Sequence, residues 1–167
     1  MQPDAEIVRF AARVLSGPHT ADELIDWAVD RLRAGDDDAA VLELASLDAR
    51  YTRFEDAFPV LCRALSNHGV HLDAPEAVFR SYFRVLLQEI VSGKVSPAEG
   101  VDQIYQEIIA VGRYGFLDWY DECLREWDFL HGRIRPGHSW EIPESEFPGI
   151  VRETAERMLA STAASLD

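Results

Sequence analysis

Lysine and cysteine are the scarce residues of this 167-residue chain. Its two cysteines, Cys62 and Cys123, cannot form the disulfide framework of a small secreted domain and are too few for a zinc site of their own. Both fall in apolar helical patterns, where a free thiol is expected to pack as a small buried hydrophobe. Lys94 is the only lysine among 16 basic residues, an arginine bias of the kind that codon supply gives in a GC-rich bacterial genome. Positive charge is short altogether: 16 bases face 30 acids, for a formal net charge of -14. A protein that neutralises phosphates needs a basic face, and an anionic bilayer would repel this chain as a nucleic acid would, so neither is an expected partner. Apolar runs of the length that spans a bilayer, about 18 residues, are also missing. The opening MQPDAEIVRF carries acids where a secretory signal carries bases, and the expectation is a cytoplasmic protein.

Strand alternation is nearly absent, and helix punctuation fills the chain. Pro3 and Asp4 open a first helix that buries Ile7, Phe10, Ala11, Val14 and Leu15 and stops at Gly17 and Pro18. Thr20 and Glu23 form a capping box for a second, with Leu24, Ile25, Trp27, Ala28 and Leu32 as its apolar members and Gly35 at its end. Asp36, Asp37 and Asp38 offer an N-cap for the short VLELASL helix. A fourth helix reads from Thr52 with Glu55, through Phe54, Phe58, Leu61 and Leu65, to Gly69, and Pro59 inside it implies a late start or a kink. The fifth and longest runs from Asp73 to Gly93. Ser96, Pro97 and Glu99 give the clearest helix start in the chain, and Val101, Ile104, Tyr105, Ile108 and Ile109 then keep α-helical spacing. A seventh helix is expected over about 116–130, a long loop over about 132–147, and a last helix from Pro148 to about Ala163. The expectation is an all-α protein, a single domain spanning 1–167 built as a bundle of seven to eight helices. The stop-and-restart pattern of SGPHTADE recurs in SGKVSPAEG, which generic capping explains as well as duplication does.

The chemistry-bearing motifs are few. There is no nucleophile elbow, Walker loop, dinucleotide fingerprint or H-E-x-x-H. His68 and His71 have ligand-like spacing but no acid or cysteine ligand nearby, and are expected to be unliganded loop histidines. His131 and His138 flank a turn holding Arg133 and Arg135, and nothing supplies the rest of a mechanism. The loop that follows also carries Trp140 and Phe147, which fit a strap plugged into the core. No catalytic, cofactor or metal residue is assigned. The seventh helix is the most informative segment: it puts Asp118, Asp121, Glu122 and Arg125 on the face opposite its apolar stripe, with Phe129 among the acids. An aromatic anchor ringed by carboxylates suits a basic protein partner, because charge steers the encounter while the aromatic supplies buried area.

The runs VSGKVSPAEGVDQIY and ELASLD resemble segments of small helical bacterial proteins, some of which are similar to immunity proteins of polymorphic or contact-dependent toxin systems. The resemblance implies a neutralising protein that pairs with one toxin domain, and it transfers no functional residue. The first expectation is therefore a non-enzymatic acidic binding domain for a basic, nuclease-like toxin. A helical scaffold or homodimer is the alternative, and a small helical enzyme with an unadvertised site is the third.

Overall fold

The computed structural model describes residues 3–109, 124–133 and 142–164, and every regular element among them is helical. In chain order these are α1 (Ala5–Ser16), α2 (Ala21–Arg33), α3 (Ala39–Ala45), α4 (Phe54–Asn67), α5 (Pro75–Ser92), α6 (Pro97–Ile104), a π-helical turn (Tyr105–Ile109), α7 (Arg125–Arg133) and α8 (Phe147–Ala164). The all-α bundle expected from the punctuation, with seven to eight helices, is the architecture found, and eight α-helices lie among the described residues. The chain divides into two compact units, Met1–Val78 and Phe79–Asp167, with the division inside α5.

Caps explain where the helices of the first unit begin. The Asp4 carboxylate accepts from the Glu6 N–H at 2.8 Å, and the Asp38 carboxylate accepts from the Ala40 and Val41 N–H groups at 2.9 and 3.1 Å. Thr20 and Glu23 form the expected reciprocal box. The fourth helix starts later than Thr52. Arg53 occupies the N-cap of α4 without a side-chain bond, because the Thr52 hydroxyl is spent on the Asp48 carbonyl at 2.9 Å. Pro59 lies inside α4, and the helix runs on past it to Asn67. The buried side chains of this unit include Ile7, Phe10, Leu24, Ile25, Val41, Leu44, Leu61 and Leu65, from all four helices. Leu15 and Cys62 are half-buried, where full burial was expected. Burial and the nearby Asp73 charge raise the Cys62 thiol above its ordinary value, which keeps it protonated.

In the second unit Ser96 and Glu99 cap α6 as expected, with Pro97 at the first turn. Gly100 brings α6 close to α5: a Cβ there would meet Ile90 Cγ1 at 2.3 Å. The α-helical spacing from Val101 onward ends at Ile104, where the backbone widens into the π turn. Neighbours hold that turn through its side chains. The Tyr82 hydroxyl donates to the Glu107 carboxylate, and the His131 ring stacks on Tyr105 with centroids 3.6 Å apart. The α7 helix continues three residues beyond its expected end at Leu130, so Gly132 and Arg133 are helical rather than loop. Trp127 is fully buried there, meets Phe83 edge-on, and donates its indole N–H to Met158 Sδ at 2.9 Å. Phe147 is buried at the start of α8, as the strap reading required of it, whereas Trp140 lies outside the described residues.

Candidate functional site

Of the four residues singled out for partner binding, Asp118, Asp121 and Glu122 lie outside the described residues, as do Cys123, Arg135 and His138. Phe129 is described and is 49% exposed, as an anchor should be. Its described surroundings differ from the expected ring of acids. Helical spacing puts Arg125 and Arg133 one turn away on either side, and the Arg133 guanidinium lies over the Phe129 ring, 4.4 Å from its centre. The nearest acid one turn back, Glu126, is paired with Arg157 through two bonds of 2.7 and 2.6 Å and also accepts from the Thr154 hydroxyl. Within Arg125–Arg133 the charged group shown on the Phe129 ring is the Arg133 guanidinium.

Two of the described histidines singled out in the sequence, His131 and His71, have hydrogen-bond partners. His131, expected beside a turn, is buried in α7, where its Nε2 faces the Asp102 carboxylate at 3.3 Å and Tyr105 covers one ring face. Both features tie α7 to the α6 and π-turn segment, which makes this a structural pair. His71 Nδ1 lies 3.3 Å from the Ser66 hydroxyl. His68 stands 3.1 Å from an Asp36 oxygen, close enough for charge attraction but misaligned for a hydrogen bond. The same Asp36 oxygen accepts from Arg31 Nε at 3.1 Å, and Arg31 reaches on to Asp4 at 3.1 Å. Among the described residues no three His, Cys, Asp or Glu side chains converge as metal ligands would, and no helix is long and apolar enough to cross a membrane.

A site missed in the sequence lies in the first unit. A groove of about 370 Å³ is lined by α1 and α2, with Glu6, Glu23, Asp26 and Asp30 on its walls against Arg13 and Arg31. Trp27 lines it too, stacked on the buried Phe10 ring with centroids 4.6 Å apart and planes 8° from parallel. The Arg13 guanidinium lies 5.1 Å from the Phe10 centroid, so one cation already rests on this aromatic pair. Arg31 is committed to Asp4 and Asp36, which leaves it little charge to offer the groove. Asp30 pairs with the exposed Arg33, and Glu23 with His19. Glu6 and Asp26 make no ion pair among the described residues. The signal was present in the sequence: Glu23, Asp26 and Asp30 stand at i−4, i−1 and i+3 from Trp27, an indole that helical periodicity assigned wholly to the core.

Against known proteins, the chain matches no family model, no curated protein and no solved structure.

Proposed function

We propose that this chain is a non-enzymatic, acidic protein-binding domain whose partner is a basic protein, in the manner of an immunity protein that neutralises a nuclease-like toxin in the cytoplasm. The observation that carries the reading is the α1/α2 groove, lined by four carboxylates and the Trp27 indole together with two arginines already engaged within the fold. A toxin cleft that holds phosphates is basic, and a net charge of -14 steers such a surface toward this one over distances of a Debye length, about 8 Å at physiological salt. Asp118, Asp121 and Glu122 remain the proposed steering face, with Phe129 beside them as the proposed anchor.

The test is a one-to-one complex with the basic partner and rescue of cells that express it. Replacing Asp118 and Asp121 with Asn and Glu122 with Gln should slow association and flatten its salt dependence while leaving the fold intact. Association unchanged by the triple substitution would remove that face from the reading. A doubled mass in solution without any basic partner would favour the homodimer instead.

A further inference from the structure

We infer that the α1/α2 groove is the docking site for an arginine side chain of a basic partner, stacked on the indole of Trp27. This rests on the reading above and names the group that the groove takes. The groove supplies both things that a guanidinium uses and that a simple ammonium uses less well. Its aromatic surface is the Trp27 ring, held flat against Phe10 by the 4.6 Å stack and so unable to turn away. Its acceptors are the carboxylates of Glu6 on α1 and Asp26 on α2, both without an ion-pair partner among the described residues, with Glu23 and Asp30 beyond them. A planar guanidinium stacks on an aromatic face and still directs its N–H fork sideways into carboxylates; a lysine ammonium is a point charge, more strongly hydrated, and gains less from the ring.

The molecule itself displays this preference. Arg13, on the wall of the groove, lays its guanidinium 5.1 Å from the Phe10 centroid although Glu6 and Asp26 stand on the same groove. One guanidinium thus already lies on the aromatic pair that the groove presents. The cavity between α3 and α4 offers no aromatic ring: it is lined by Ala39, Ala40, Cys62, Ser66, Asn67 and one balanced Glu43/Arg63 pair.

Hexa-arginine and hexa-lysine peptides of equal charge are the probes, titrated calorimetrically into the full chain, with the Trp27 indole N–H signal followed by NMR and assigned through Trp27→Phe. The expected result is that hexa-arginine binds about tenfold tighter than hexa-lysine, that it shifts the Trp27 signal, and that Trp27→Leu erases the difference. A paired Glu6→Gln, Asp26→Asn variant, altered only at exposed positions that no fold contact uses, should weaken both peptides and keep the arginine preference. Circular dichroism confirms that the Trp27→Leu chain is folded, and the exposed pair keeps the test open if it is not. If both peptides bind alike and the Trp27 signal does not move, the arginine site is overturned while an acidic surface for basic partners stands. If neither peptide binds, the groove is overturned as a docking site, and the proposed function then rests on the Asp118, Asp121 and Glu122 experiment alone.

Discussion

The Arg133 guanidinium rests 4.4 Å from the centre of the Phe129 ring, one turn further along the same helix. That contact covers part of an aromatic side chain with the i+4 neighbour's charge, as such pairs do on helix surfaces at about 0.5–1 kcal/mol. Two residues earlier on α7, Trp127 is fully buried against Phe83 and Met158. Truncating these neighbouring aromatics should therefore give very different results. Trp127→Ala is expected to cost about 3–5 kcal/mol, the usual range for deleting a buried large aromatic, and Phe129→Ala no more than about 1 kcal/mol. Urea denaturation of both variants checks this; equal losses would mean that Phe129 is structural and not a surface anchor.

What the sequence made legible follows from how local the physics is. Thr20 with Glu23, and Ser96 with Glu99, announce their helices because a capping box is closed within four residues, and both were found. Thr52 with Glu55 carries the same spelling but fails, since a competing carbonyl at Asp48 takes the hydroxyl, and only the three-dimensional turn reveals that competitor. The π turn at Tyr105–Ile109 was hidden because Val101, Ile104, Ile108 and Ile109 fit α-helical spacing, while the contacts its side chains make are with Tyr82 and His131, distant in sequence. The groove was hidden for the opposite reason. Trp27 satisfies the apolar stripe of α2, and only the arrangement of α1 beside it shows that part of the indole is left facing carboxylates.

The caps also set the response to acid. Burial pushes the Asp38 carboxyl upward, but hydrogen bonds from Asn67, Val41 and Ala40 and the charge of His68 outweigh it and hold the group below its ordinary 3.8. Asp4 is the same kind of case: burial raises it, and the Glu6 N–H and the Arg31 guanidinium win. A carboxyl lowered in the folded state binds its proton more readily when unfolded, so its stabilisation is complete above the unfolded value and is lost as pH falls through the folded one. Stability should thus be level near neutrality with respect to these groups and decline below about pH 4. Asp38→Asn, which retains a capping oxygen but does not titrate, should show a shallower decline than the parent in thermal melts taken between about pH 2 and 6.

Gly100 tests a close approach between helices. Alanine in a helix interior is ordinarily better than glycine by about 1 kcal/mol, so propensity alone favours Gly100→Ala. Packing opposes it, because the new methyl would meet Ile90 Cγ1 at 2.3 Å and Cδ1 at 2.6 Å, and Ile90 is itself fully buried. Overpacking of this kind costs about 1–3 kcal/mol, and the expected net effect is destabilisation. Ile90→Ala should cost about 2–5 kcal/mol in the parent and markedly less in the Gly100→Ala background, since the second change removes both clashing atoms. Additive losses in guanidinium titrations would show that α5 and α6 accommodate the methyl by other means.

The Asp36 carboxylate is only 4% exposed and serves Arg31, with His68 beside it. Its other oxygen accepts from the Asp38 N–H at 3.1 Å, so one side chain links the end of α2, the α2–α3 connection and the end of α4. Arg31 also holds Asp4, but that carboxylate is 45% exposed, and water can replace the arginine there. Removing Asp36 is different, because the Arg31 side chain is 15% exposed and would be left partly buried with only the half-exposed Asp4 carboxylate to answer its charge. Asp36→Ala is therefore expected to cost about 3 kcal/mol, and Asp4→Ala about 1 kcal/mol, the latter mainly through its lost cap. Replacing Arg31 by Met in the Asp36→Ala background should recover part of the loss, since the stranded charge goes with it. Denaturation midpoints of the three variants decide the matter, and a double variant no more stable than Asp36→Ala would show that the cost arises from the Asp38 N–H rather than from the stranded cation.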